Sequence, residues 1–236
     1  MRILFIFSFF TVVTTFAQNI NYAGLFPTVD HSGKLSEKWS YNAYLFAAVK
    51  PYNHTNNFNM PDKARLLYIY GESGVSYAIT EQLSFTASYV FEQQNPGEAY
   101  TRNENRLFQQ LTLKTPINKL EIKQRLRFDE RFIQNPISKE VVFTHRLRYL
   151  LGISSDINEK FYWFAYSEFF FNTKSNDFFK FNENWSALQL GYKINEKNSI
   201  ECGLLYVGWI YNQHNDWFNQ FYLQTTWVSK LDFSKN

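Results

Sequence analysis

The sequence contains a single cysteine, Cys202, which cannot close an internal disulfide. A disulfide framework is therefore excluded, and an exported chain of this size has to rest on a large core or on closure of a sheet. Long apolar runs are equally scarce. The one from Ile3 to Phe16 spans about 14 residues, short of the roughly 20 that a membrane-crossing helix needs. Charge of either sign is nearly balanced: the formal net charge is +3, too small to argue for nucleic acid or an acidic-lipid surface as partner. Histidine is sparse. His31, His54, His145 and His214 include no pair at metal-ligand spacing, acidic loop residues such as Asp62, Glu98 and Asp216 are scattered, and no serine sits in a recognisable nucleophile motif. No cofactor or metal is expected.

What the sequence does have begins at its start. Met1-Arg2, the apolar run and Ala17 have the charged, apolar and small-residue order of a secretory signal peptide, 1-17, cleaved after Ala17. Gln18, not cysteine, follows, so a lipid anchor is not expected. Aromatic residues make up 20% of the chain, with 25 Phe and 16 Tyr, yet the mean hydropathy is only -0.38. Large apolar groups interleaved with polar ones suit a sheet with one apolar and one wet face.

From Trp39 onward, alternating stretches are separated by turn-rich segments, and no helical period persists. Strands are expected at 39-50, 64-79, 83-93, 104-115, 119-132, 141-154, 161-173, 181-193, 199-211 and 217-230. Their lengths match or exceed the 9 to 11 or so residues of a tilted membrane strand. The connections alternate in length. Short ones fall at Thr80-Glu81-Gln82, Pro116-Ile117-Asn118, 155-160 and 195-198; longer ones fall at 51-63, 94-103, 133-140, 174-180 and 212-216. Outer-membrane barrels show this asymmetry between periplasmic turns and outer loops. Ten strands would place both barrel ends on the periplasmic side, with twelve as the alternative. Residues 18-37 are left over, and a non-spanning N-terminal segment is expected there, an extra strand being the other possibility; the barrel itself is expected over 38-233.

Alternation assigns faces. Leu83, Phe85, Ala87, Tyr89 and Phe91 should face lipid, as should Leu107, Leu111 and Leu113, and Leu120, Ile122, Leu126, Phe128 and Phe132. The intervening charged set turns into the lumen, where a soluble sandwich could not bury it. In the last strand Phe221, Leu223, Thr225, Trp227, Ser229, Leu231 and Phe233 share one parity and end in an aromatic, as in the strand by which outer-membrane barrels are recognised for assembly. Trp39, Trp163, Trp209 and Trp217, near strand ends, fit interfacial girdles or ordinary sheet packing.

The segments RLRFDERF (125-132), HRLRYLLG (145-152), YWFAYSEFFFN (162-172), FNENW (181-185) and LQLGYKIN (188-195) together resemble the outer-membrane barrel family known as domain of unknown function 2490. The resemblance covers most of the chain after the leader and implies fold and location, with no known activity. It also implies a basic residue after Asn184, where this sequence has Trp185, so a lumenal network of the family would be altered here.

The strongest constellation is the lumenal charge. Arg106, Lys114, Lys123, Arg125, Arg127, Arg131, Arg146 and Arg148 form an expected basic wall, facing an acidic one of Glu72, Glu92, Glu168, Glu183 and Glu201. Arg125, Arg127, Arg146 and Arg148 should share a level with Glu72 and Glu168. Clustered guanidiniums at low dielectric need carboxylate partners, so the expected arrangement is a salt-bridge network filling a narrow lumen. The alternative is a porin-like transverse field in an open channel for small charged solutes. A hydrolase using a loop histidine, His54 or His214 with Asp216 nearby, is the second alternative. No catalytic residue is assigned. Loops such as 52-59 and 212-217, rich in Asn and aromatics, suit solvated outer loops or contact with a surface ligand.

The sequence thus reads as an all-β transmembrane antiparallel barrel of about ten strands in the outer membrane of a Gram-negative bacterium. Its expected partners are outer-membrane lipid and the barrel-assembly machinery, with no nucleic acid, and a monomer is expected.

Overall fold

A computed structural model describes residues 20-52, 64-174, 177-210 and 216-234. The leader 1-17 and the loop histidines His54 and His214 lie outside the described residues. The described chain forms eleven strands: β1 (Ile20–Lys34), β2 (Trp39–Tyr52), β3 (Arg65–Ala78), β4 (Leu83–Gln94), β5 (Arg102–Ile117), β6 (Leu120–Gln134), β7 (Val141–Asp156), β8 (Phe161–Lys174), β9 (Asp177–Lys193), β10 (Asn198–Ile210) and β11 (Trp217–Asp232). Each pairs with its sequence neighbour, antiparallel, and β1 closes the barrel by pairing with β11 in parallel.

Ten of these strands coincide with those read from the alternation, within a few residues at each end. The eleventh corrects the count. Residues 20-34, expected as a non-spanning segment or an extra strand, are a full member of the barrel. The odd number makes the closing pair parallel, so β1 begins at the long-loop end while β11 finishes at the short-turn end. The expected loop at 174-180 is also shorter than anticipated, because the β8–β9 ladder runs on to the pair Lys174 and Asp177 through two register shifts.

The ladder fixes the tilt. Hydrogen-bonded partners traced round the barrel from Lys34 run through Ser40, Ser76, Thr86, Gln110, Arg127, Arg148, Phe170, Glu183 and Trp209 to Phe218. The next residue, Asn219, pairs with Ile20, at the opposite end of β1 from Lys34. Strands so strongly staggered are tilted, as closure of a sheet requires.

Four of the short turns repeat one device. Leu35-Ser36-Glu37-Lys38, Ile79-Thr80-Glu81-Gln82, Ile157-Asn158-Glu159-Lys160 and Ile194-Asn195-Glu196-Lys197 each place a Ser, Thr or Asn second. Its side-chain oxygen accepts from the backbone N–H three residues on: Trp39 to Ser36 at 3.1 Å, Leu83 to Thr80 at 2.9 Å, Phe161 to Asn158 at 2.8 Å and Asn198 to Asn195 at 2.8 Å. Such side chains mimic a backbone turn and fix the register of the next strand. The fifth turn is tighter, with Asn118 at φ 55, a left-handed conformation Asn tolerates.

Faces follow the period of two. On β4, Thr86, Ser88, Val90 and Glu92 point inward and are buried, while Phe85, Ala87, Tyr89 and Phe91 point outward and are exposed. The outward face is an apolar band that includes Leu45, Leu107, Leu126, Leu188, Leu204 and Leu223. The first residues of the five short turns, Leu35, Ile79, Ile117, Ile157 and Ile194, add a ring of exposed aliphatic side chains at that end.

Candidate functional site

The inward face of β6 carries Arg125, Arg127, Asp129 and Arg131, because residues two apart on a strand share a face. Opposite and beside it, β3, β8 and β9 present Glu72, Glu168 and Glu183. In the upper half of the lumen these meet as a connected set. Arg127 Nη1 donates to Glu72 Oε2 at 3.0 Å and Nε to Asp129 Oδ1 at 2.6 Å. Asp129 is fully buried and also takes Arg146 Nη2 at 2.9 Å. Glu168 receives Arg148 through a fork of two bonds, 2.7 and 2.9 Å, and Arg125 at 2.6 Å. Glu183 lies 3.8 Å from Arg146.

A second set sits nearer the long-loop end. Glu104, with no exposed surface, accepts both arms of Arg131, at 2.6 and 2.9 Å, and also Arg106. Arg106 reaches Glu92 on the neighbouring strand. Arg102 lies 3.9 Å from Glu104. Each guanidinium thus has a carboxylate. Arg forks with paired oxygens are the geometry that makes buried ion pairs tolerable.

Aromatic side chains fill the lumen between the walls, with Phe108 and Phe170 lying directly against the arginines. Phe26, Phe46, Tyr70, Phe108, Phe170 and Tyr222 are all buried. Phe46 stacks on Phe26 at 4.4 Å and on Tyr70 at 4.5 Å. Trp185, from the far wall, meets Phe26 edge-on at 5.9 Å and Phe46 at 6.1 Å. Tyr70 donates to Glu72 at 2.7 Å, and the Arg127 guanidinium lies 3.4 Å from the centre of the Phe108 ring, a cation–π contact. Trp185, Phe46, Tyr70 and Arg127 therefore form a strut from β9 through β2 and β3 to β6, across the barrel.

The structure brings Arg106, Arg125, Arg127, Arg146, Arg148, Glu72, Glu168 and Glu183 to the lumen, and it departs from the expected separation of walls. Glu72, Glu92, Glu168 and Glu183 of the expected acidic wall each pair an arginine, but the arginines are also neutralised on their own side, by Asp129 and Glu104, two acids that the sequence reading turned inward but left out of that wall. Their signal was present: each lies two residues from an arginine on the same strand, Arg127 and Asp129, Glu104 and Arg106, and so shares its face. Facing the arginines are Phe26, Phe46, Tyr70 and Tyr222. Trp185, where the family resemblance implies a basic residue, keeps a polar link of its own, donating from Nε1 to Glu183 Oε1 at 2.6 Å.

The lumen also holds open space, which reaches below the strut toward the short turns. A cavity of about 1450 Å³ has lining residues from both rims, Lys193 and Lys230 at one and Arg102 and Thr144 at the other. Its lower part holds Asp30, Lys123 and Glu201, which stand apart from the arginine network; Tyr162 donates to Glu201 at 2.6 Å. The two described histidines are elsewhere. His31 contacts the Tyr41 hydroxyl at 2.8 Å, and His145 packs between Phe128 and Phe143 on the outward face. Among the described residues no group of His, Cys, Asp and Glu is arranged to hold a metal ion.

Comparison with solved structures finds LpxR from Salmonella typhimurium at 10% identity, covering 83% of this chain and 85% of that one, with a TM-score of 0.47. A likeness at that level carries no functional argument. No curated protein matches. The family model described as protein of unknown function (DUF2490) matches residues 23–229, nearly the whole barrel from β1 to β11, and the chain belongs to that family.

Proposed function

We propose that this protein is an outer-membrane barrel whose lumen is closed at mid-height, a structural or surface-interaction barrel and not an open pore. The observation that carries this is the strut of Trp185, Phe46, Tyr70 and Arg127, whose members come from opposite walls and touch. Arg127 is 2% exposed and Phe108 beneath it 1%. Membrane placement is supported by the outward apolar band, by strands of 12 to 17 residues and by the aliphatic ring at the short turns, since a tilted strand of roughly 9 to 11 residues crosses the hydrocarbon layer. In this placement the short turns face the periplasm.

Cysteine labelling in whole cells tests the location. In a Cys202→Ser background, Glu98→Cys in the long-loop rim reacts with a membrane-impermeant maleimide in intact cells, whereas Glu159→Cys in a short turn reacts only after permeabilisation. Equal labelling of both in intact cells, or recovery of the protein in the soluble periplasmic fraction, contradicts the placement.

The cavity that draws lining from both rims favours one other reading, a narrow channel for small charged solutes. In that reading the arginine network is a selectivity element instead of a seal.

A further inference from the structure

Besides the pairs Lys114–Glu121 and Lys193–Asp156 nearer the rim, the lower lumen holds Asp30, Glu201 and Lys123, which the plug does not use, the two acids on one wall and the lysine on the other. Asp30 lies four residues before the end of β1, and Glu201 lies three residues into β10. Between these strands stands β11, whose Thr226 is the register partner of both Glu201 and Thr28. Lys123, three residues into β6, comes from the opposite side of the barrel, five strands away from β1. Among the described residues neither Asp30 nor Lys123 takes part in an ion pair or a side-chain hydrogen bond, and Glu201 has only hydroxyl contact. Lys230, on the acidic side at the rim, makes no ion pair with either acid.

At the same height the walls carry buried polar atoms without a partner. Gln189, 2% exposed, has a free Oε1, and Thr226, 4% exposed, a free Oγ1; Asn42 Oδ1 and Arg125 Nε are likewise unpaired. Buried polar groups normally find partners, so these mark where one belongs. Their polarity is ordered too. The acceptors Asn42 and Gln189 lie on β2 and β9, flanking the acidic wall, and the donor Arg125 lies on β6 beside Lys123.

We infer that the lower lumen is a binding site for a short zwitterionic peptide, its ammonium end held by Asp30 and Glu201 and its carboxylate by Lys123 and the free Arg125 Nε. Backbone N–H groups of such a ligand supply Asn42 and Gln189 with the donors they lack. The plug forms the closed end of the site, and entry is from the short-turn rim. Charge-assisted bonds at both ends make recognition depend on both termini at once. The site requires the folded barrel only, so binding in detergent is independent of membrane location and of conductance.

Isothermal titration of the full-length folded barrel with triglycine tests this, heat-dependent gel mobility certifying each sample. Triglycine binds; acetylating its amine or amidating its carboxylate each weakens binding about tenfold or more, as does Asp30→Asn or Lys123→Met in a folded variant. The blocked peptides are measured on the unaltered protein, so the test stands even where a variant does not fold. Absence of triglycine binding, equal binding of the blocked forms, or binding of phosphoethanolamine in place of triglycine overturns the assignment.

Discussion

Arg127 and Glu72, 55 residues apart in sequence, meet across the lumen at 3.0 Å, joining β6 to β3 through the barrel interior instead of along the sheet. A wall-to-wall contact of this kind resists both collapse and opening of the lumen, and it sets the value of the charges around it. Both partners are nearly buried, with side-chain exposures of 3% and 12%, so solvent screens the pair little.

Removing one member leaves the other charge buried and unpaired. Arg127→Met is expected to lower stability by about 3 to 5 kcal/mol, the range for breaking one side of a buried ion pair. Asp129 remains held by Arg146, so the loss centres on Glu72. Adding Glu72→Gln to Arg127→Met returns part of that loss. Urea unfolding in lipid vesicles, followed by tryptophan fluorescence over the full double-mutant cycle, measures both numbers; additive single effects would show that the two residues are not coupled.

Trp185 anchors the aromatic end of the strut. Trp185→Ala removes the contacts to Phe26 and Phe46 and the bond to Glu183, and is expected to cost about 3 to 5 kcal/mol, as large core truncations do. Trp185→Arg restores a partner for Glu183 and regains less than half of this, because the ring contacts dominate. The same unfolding assay decides, and full recovery by Arg would give the ionic contact the larger share.

The repeated turns carry register. Asn195→Ala removes two accepted backbone bonds, from Lys197 and Asn198, and is expected to cost about 1 to 3 kcal/mol at roughly 0.5 to 1.5 per bond. Asn118→Gly is neutral or stabilising at its positive φ, whereas Asn118→Val destabilises. Shifts in the urea midpoint report each change.

β1 closes the barrel, so its removal leaves β2 and β11 with open edges. A variant lacking 20-34 is expected to lose the heat-dependent gel shift of a closed barrel and to aggregate, as unpaired strands do. Retention of the shift would make β1 dispensable.

β1 was also the part of the fold least legible beforehand, for physical reasons visible in it. Pro27 lacks an N–H, and His31-Ser32-Gly33 reads as a turn. In the barrel Pro27 has no partner in the β1–β2 ladder and pairs only with Thr225 of β11, while Gly33 leaves room for the Tyr41 ring, which a Cβ there would meet at 2.3 Å. The missed signal was the tetrapeptide after it: Leu35-Ser36-Glu37-Lys38 matches the turns at 79-82, 157-160 and 194-197, so a strand had to precede it. The ten other strands were legible because a period of two is imposed wherever one face meets water and the other does not. Lumenal residues could be assigned by parity, but which acid each arginine selects depends on the stagger that brings Arg127 level with Tyr70 and Glu72, and pairing of that kind is invisible along a single strand.

Planar-bilayer recording of the refolded protein, with the gel shift run alongside as proof of folding, tests the closed lumen most directly. The unaltered barrel should be silent, and Trp185→Ala combined with Arg127→Ala, which removes both ends of the strut, should show discrete steps. Discrete steps from the unaltered barrel, altered in size or ion preference by Arg127→Ala alone, would contradict the seal and make the arginine network the lining of a narrow channel.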